Sequence, residues 1–293
     1  MIRHVRMKKS IFGTVSRILF LIALLSSQFA LGAPLGLNEY RDGKWIDPDK
    51  SYTGKKVALI LSGYHDTIEK CHQLASFFGP DFDAIFGFEY SSYNGIDDNA
   101  QLLTNQVKEL AQNNHIFIIA HSMGGMVARY ALEQLDLGED IHYLLMLGTP
   151  NQGIPGKELS GAFLFGARIF KLPIRSLAQL FAGGNFLNKL NTGVSKYCDS
   201  SHYYAVQGTN HNGIFPSEAK ALKSIVGYLL QAFKSPMHDG VIPCYADEGS
   251  PLRNKASSWT GYINVDMGHF ELKYNLEEQR PLFSKIMESW NNL

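Results

Sequence analysis

Ile119-Ala120-His121-Ser122-Met123-Gly124-Gly125 lies where an apolar run, His115 to Ala120, gives way to an amphipathic stretch from Met123 to Leu135. The run reads as a buried strand and the stretch as a helix, stopped by Gly138. A strand that turns into a helix through a single serine forces that serine into a strained backbone conformation and lifts its hydroxyl clear of the sheet. The approach is tight, so only small residues fit two positions either side; Ala120 and Gly124 stand there, and Gly125 adds close packing. As a bare pattern, small-x-Ser-x-Gly decides little, but its strand-turn-helix placement makes Ser122 the candidate nucleophile. The ordinary alternative, a helix N-cap serine, leaves the small residues on both sides unexplained.

The alternation extends outward from this turn. Upstream, a polar, turn-rich lead from Pro34 to Gly54 precedes an apolar strand, Val57 to Leu61, which ends in the turn Ser62-Gly63. A helix from Ile68 to Phe78, a strand from Asp83 to Tyr90 and a helix from Asp98 to Gln112 follow. Downstream come strands Ile141 to Leu147 and Tyr203 to Gln207, a helix Glu218 to Phe233, a short segment Asp239 to Pro243, a strand Trp259 to Val265 and a last helix Glu277 to Trp290. This order predicts an α/β fold with a mostly parallel, doubly wound sheet, whose functional loops gather beyond the carboxyl ends of the strands. At about residues 150–197 the alternation lapses into a segment dense in Phe and Leu, read as an inserted helical cap.

A serine nucleophile needs donors for the oxyanion it creates. The backbone N–H of Met123, at the head of a helix, is one candidate, with the helix dipole behind it. The loop after the first strand, Ser62-Gly63-Tyr64-His65, supplies the second, through the N–H of Tyr64. In this architecture the triad runs Ser, acid, His along the chain. His269, the last histidine, falls in Asp266-Met-Gly-His-Phe270 between the last strand and the terminal helix, and is the candidate base. Asp239, heading the turn in His238-Asp-Gly-Val-Ile-Pro243, is the candidate acid that would orient it. Asp266 is the rival, but from the same short loop it would have to fold back awkwardly.

Ala-His-Ser-Met-Gly-Gly-Met-Val-Ala-Arg at 120–129, Leu-Gly-Thr-Pro-Asn-Gln-Gly at 147–153 and Asp-Gly-Val-Ile-Pro at 239–243 resemble the lipase branch of the α/β-hydrolase superfamily over most of the chain beyond residue 33. The likeness is to secreted bacterial triacylglycerol lipases and to the lipase-like domain of GPI inositol-deacylases. In the latter the second motif often reads Thr-Pro-His-x-Gly, with Asn151 here in place of the His. The commoner Gly of the serine turn is Ala120, and Ser62 replaces a usual His. The resemblance implies hydrolysis of carboxylic esters through an acyl-enzyme, with phospholipase and acyl-thioesterase chemistry as close alternatives on the same triad. A binding protein on a hydrolase scaffold, without turnover, is the alternative from another class. The insertion bears on substrate: Phe163, Phe165, Phe170 and Leu177 are candidates to line an acyl pocket, at about 0.8 kcal/mol per buried methylene. A cap of this kind would touch a lipid–water interface transiently; packed on its own core instead, it would suit small esters.

The chain has 293 residues, 45% hydrophobic and 18% charged, suited to one globular domain from residue 34 to 293. Lys plus Arg and Asp plus Glu balance at 27 each, so no overall field attracts nucleic acid or an anionic membrane. Lys8, Lys9 and Arg17 precede the apolar run Ile18 to Leu25, and Ala30, Gly32 and Ala33 follow, the layout of a signal peptide over residues 1–33 and of export to a periplasmic or extracellular location. Among Cys71, Cys198 and Cys244 the expected arrangement in an oxidising compartment is one bridge, Cys198 to Cys244, with Cys71 a buried thiol. No cofactor and no metal site is expected, since the chain lacks C-x-x-C, its histidines are scattered, and no carboxylate cluster suited to calcium adjoins His269 beyond Asp266.

Overall fold

In the computed structural model, which describes residues 33–49, 51–64, 66–154, 174–195, 201–211, 238–239, 241–248 and 250–291, the strand-forming runs pair into a single sheet. They are β1 (Gly36–Arg41), β2 (Lys44–Ile46), β3 (Lys56–Leu61), β4 (Ala84–Glu89), β5 (His115–His121), β6 (Tyr143–Leu147), β7 (His202–Gly208) and β8 (Ser258–Val265). Their order across the sheet is β2-β1-β4-β3-β5-β6-β7-β8. From β4 to β8 every pairing is parallel, while β1 runs antiparallel to both of its neighbours.

The lead from Pro34 to Gly54 is therefore more than turns, because it holds the β1–β2 hairpin. Asp42 and Gly43 join the two strands with φ of 53° and 75°. Positive φ at both central residues fits the turn whose twist matches antiparallel strands, and Asp-Gly is its usual sequence. The hairpin is hidden from hydrophobicity because β1 buries polar groups. Glu39, 2% exposed, is satisfied by Arg41 Nε at 3.0 Å, Tyr52 Oη at 2.8 Å and the Asp49 N–H at 2.9 Å.

The central strands are buried on both faces, so they read as continuous apolar runs rather than alternating ones. Leu59, Ile118 and Met146 face one core with the helices α2 (Ile96–Asn113) and α3 (Met123–Gln134), packing on Leu103, Val107 and Val127. Ile60, Ile119 and Leu145 face a second core with α1 (His72–Phe78) and the C-terminal α7 (Arg280–Asn291), packing on Phe78, Phe283 and Trp290. The result is a helix–sheet–helix sandwich. α2 starts where expected: Asp97 and Asp98 sit in its first turn, where the helix dipole favours negative charge, and Asp98 accepts the Gly95 N–H at 3.2 Å. The predicted helix from Glu218 to Phe233 lies outside the described residues.

Two short helices, α4 (Ile174–Gln179) and α5 (Asn185–Thr192), are the described part of the insertion. Leu180, Leu187 and Leu190 join the core shared with α2 and α3, and Phe186 stacks on Tyr130 of α3 with ring centroids 5.5 Å apart. Ser176 Oγ donates to the Ser92 carbonyl at 2.6 Å, and Arg175 pairs with Asp97 and Asp98 at the head of α2. Among the described residues, no helix is long and apolar enough to cross a membrane.

Register decides where loops meet. Leu61 lies opposite Ala120, His121 opposite Leu147 and Leu147 opposite Val206. The carboxyl ends of β3, β5, β6 and β7 therefore share one edge, and the segments beginning at Ser62, Ser122, Gly148 and Thr209 emerge side by side, joined by the segment after β8. The short helix α6 (Glu271–Tyr274) belongs to that segment.

Candidate active site

Ser122 ends β5 and begins α3 with φ 54° and ψ −125°. Apart from Asp42 it is the only non-glycine with positive φ among the described residues, a conformation costing roughly 1–3 kcal/mol that persists only because surrounding contacts hold it. Its N–H donates to the Leu147 carbonyl at 2.8 Å, and its own carbonyl accepts the Gly125 N–H at 3.1 Å. The small residue two positions on is a steric necessity: a Cβ on Gly124 would lie 2.4 Å from the Ser62 carbonyl oxygen.

The structure brings Ser122, His269 and Asp239 into one hydrogen-bonded chain. The Ser122 hydroxyl lies 3.0 Å from His269 Nε2, and His269 Nδ1 lies 2.7 Å from Asp239 Oδ2. With the ring proton on Nδ1 facing the carboxylate, Nε2 accepts from the serine. Asp239 is 1% exposed and engaged on both oxygens, Oδ1 accepting the N–H groups of Val241 at 2.9 Å and Ile242 at 2.6 Å. Backbone joins the acid and base segments too, the His269 N–H donating to the Asp239 carbonyl at 2.9 Å. Asp266, the rival acid, is exposed.

The loop after β3 lies against the serine, since a side chain on Gly63 would come within 3.0 Å of Ser122 Cβ. Tyr64 follows directly, its phenol packed against the core and its pKa pushed up by burial. Met123, 0% exposed, opens α3. The first N–H groups of a helix have no acceptor within it, which leaves that of Met123 available at the foot of the serine. Of the expected substrate-lining residues, Phe163, Phe165 and Phe170 lie outside the described residues, and Leu177 on α4 is half-buried.

Four residues not singled out from sequence shape this edge. His121 Nε2 donates to the His269 carbonyl at 2.9 Å with ring centroids 4.7 Å apart. Burial, then the neighbouring His269, depress its pKa well below the usual histidine range, so it stays neutral and adds no positive charge beside the candidate base. Gly148 admits the base, for a Cβ there would lie 2.9 Å from His269 Nδ1. Lys273 and Asp66 form a buried ion pair that joins α6 to the loop after β3. His121 and Gly148 sat inside quoted motifs and could have been flagged; nothing in sequence joins Asp66 to Lys273, 207 positions apart.

Of the expected Cys198–Cys244 bridge, one end lies among the described residues. Cys244 carries a free thiol whose Sγ donates to the Gly208 carbonyl at 3.1 Å, with its pKa pushed up to about 11 by burial, while Cys198 lies outside the described residues. Cys71 is a free, fully buried thiol. Among the described residues no three His, Cys, Asp or Glu side chains converge as a metal site.

A mostly parallel sheet with helices on both faces and a strained serine on the β5–α3 turn is the α/β-hydrolase fold. The mature form of the Bacillus licheniformis lipase BlEst2 matches with a TM-score of 0.61 at 17% identity, covering 85% of this chain and 99% of that one. A structure of the metagenome-derived lipolytic enzymes LipS and LipT matches with a TM-score of 0.53 at 13% identity, covering 89% and 98%. Residues 53–227 match the family described as the PGAP1-like alpha/beta domain, and the chain belongs to that family. A GPI inositol-deacylase of Candida albicans is 32% identical over 76 residues, 24% of this chain, and the chain spans only 20% of that relative's length. The chain is thus a member of the PGAP1-like alpha/beta domain family that shares its fold with solved lipases.

Proposed function

We propose that the protein is a serine carboxylic-ester hydrolase acting on lipid esters, with Ser122 as nucleophile, His269 as general base and acid, and Asp239 as the orienting carboxylate. The observation that carries this reading is the Asp239–His269–Ser122 hydrogen-bond chain, ending on a serine held at positive φ. His269 Nε2 takes the proton as Ser122 Oγ attacks the ester carbonyl, and the developing oxyanion is held by the N–H groups of Met123 and Tyr64. The imidazolium then protonates the departing alcohol. Water, activated by the same ring, releases the acid from the acyl-serine. Asp239 holds the tautomer and stabilises the imidazolium at both stages.

A lipid ester is favoured by the lipase neighbours and by the relative whose printed name is an inositol-deacylase, which makes acyl–inositol esters a substrate class worth assaying alongside glycerides and phospholipids. The apolar insertion supports an acyl chain as one half of the substrate. The basic and apolar pattern of residues 1–33 supports export, which N-terminal sequencing of the secreted or periplasmic chain tests by locating a new terminus after Gly32 or Ala33.

The deciding experiment is labelling by a fluorophosphonate probe together with p-nitrophenyl esters from acetate to palmitate, triolein and phosphatidylcholine. Labelling and turnover are both expected, and both should vanish in Ser122→Ala. Labelling that survives that substitution, or a folded wild type that turns over no ester, would sink the proposal.

A further inference from the structure

The loop after β3 and the segment bearing His269 come from distant parts of the chain, yet a buried ion pair joins them. Lys273, on α6 four residues beyond His269, directs its ammonium to the carboxylate of Asp66. The lysine side chain is 1% exposed and the aspartate 10%. Burial alone would pull the lysine pKa down, but Asp66 foremost, with Cys71 and Tyr274, more than offsets it, so the ammonium stays charged.

Both partners sit on pieces that are anchored elsewhere. On one side, the Tyr90 hydroxyl donates to the Ser62 carbonyl at 2.6 Å and the Ile68 N–H donates to Glu89 at 2.7 Å, so the loop is pinned before and after the stretch containing Gly63 and Tyr64. On the other, the Gly268 N–H donates to Glu271 at 2.6 Å and the Lys273 N–H to the Phe270 carbonyl at 3.0 Å, which makes α6 and the His269 turn one unit. The ion pair ties that unit to the middle of the pinned loop.

We infer that Lys273 and Asp66 are positioning residues of the Ser122 centre, holding the loop that carries the Tyr64 N–H in fixed relation to His269 so that oxyanion donor and base meet the same carbonyl. Neither touches the reacting atoms. A pair kept only for stability could be replaced by apolar groups without loss of rate. A positioning pair could not, because misplacing a catalytic donor by an ångström costs on the order of 100-fold in rate.

The inference rests on the hydrolase reading above, and its test separates the two. Lys273→Met, Asp66→Asn, their double variant and Lys273→Arg are checked for folding, titrated for active sites with a fluorophosphonate, and assayed for kcat and KM on p-nitrophenyl butyrate. Hydrogen exchange of residues 62–68 is followed in parallel. Each single loss should lower kcat about 10- to 100-fold with KM within about 2-fold, and the double variant should be no worse than the poorer single. Lys273→Arg should recover kcat to within about 5-fold, and exchange of 62–68 should rise in the other variants. Should Lys273→Met fail to fold, Asp66→Asn and Lys273→Arg carry the same comparison. A folded Lys273→Met with kcat per titrated site within about 2-fold of wild type, or single losses that multiply in the double, would overturn the inference alone. A wild type without turnover would overturn it together with the hydrolase reading.

Discussion

Two clusters of buried polar side chains flank the loop after β6, and they are assembled differently. Around Arg129, 0% exposed, the guanidinium makes four hydrogen bonds: two to Glu133 at 2.7 and 3.3 Å, one to Asn151 at 3.2 Å and one to Asn191 at 3.0 Å. Lys255 adds a second cation, contacting Glu133 at 3.7 Å and the Gly193 carbonyl. That cluster ties α3, the loop after β6 and α5 together, with Glu133 shared between the two cations. Around Ser122 the backbone is strained, and the chain of hydrogen bonds runs one way, from a doubly engaged carboxylate through an imidazole to a single hydroxyl. Hydrogen bonds to three different side chains suit a group that must stay put. On the proposed reading, a directed chain ending at one hydroxyl suits a group that must pass a proton. Polar burial alone therefore does not mark a site; the direction in which its hydrogen bonds run does.

This contrast predicts that damage to one cluster costs rate and damage to the other costs stability. The largest effect should come from Asp239→Asn, which on the proposed reading leaves His269 in the wrong tautomer and lowers kcat by about 10,000-fold with unfolding free energy little changed. Steady-state kinetics beside urea unfolding measure both, and a large stability loss with intact turnover would erase the distinction. Arg129→Met should do the reverse. Leaving Glu133 buried without its guanidinium should cost about 3–5 kcal/mol by urea unfolding, while turnover per titrated site in the folded fraction stays within about 3-fold.

A third test concerns the carboxylate under the loop after β3. Burial pushes the pKa of Glu89 up to about 7 from an ordinary 4.5. The folded chain thus binds this proton more tightly than the unfolded one, so its contribution is fully present below about pH 4.5 and is lost as pH rises through about 7, on the order of 3 kcal/mol. Urea unfolding between about pH 5 and 8 should show that decline, and Glu89→Gln, which keeps an acceptor for the Ile68 N–H, should flatten it. The smallest effect belongs to the rim. Arg175→Ala removes exposed pairs to Asp97 and Asp98 and should cost less than about 1 kcal/mol, shrinking further at high salt.

The legibility of the sequence follows the range of the forces involved. Parallel strands buried on both faces must be apolar throughout, so β3, β5 and β6 stood out, and the close approach recorded in Gly124 marked the serine turn. The β1–β2 hairpin escaped because Glu39 is buried through hydrogen bonds rather than hydrophobicity, although Asp42-Gly43 carried a turn signal that could have revealed it. Likewise, the apolar insertion reads as a cap, yet its Leu180 and Leu187 pack into the main core, because an apolar side chain does not state which surface will cover it.

By itself the sequence determined the parallel α/β architecture and the turn at Ser122, since both rest on local rules: apolar continuity, helical spacing, and small residues where backbones nearly touch. Only the tertiary structure decided that Asp239 rather than Asp266 faces His269, that His121 and Gly148 lie against His269, and that Lys273 reaches Asp66. Those contacts join positions far apart in the chain, and what sets their distances is the register of the strands at one sheet edge, which no single segment encodes.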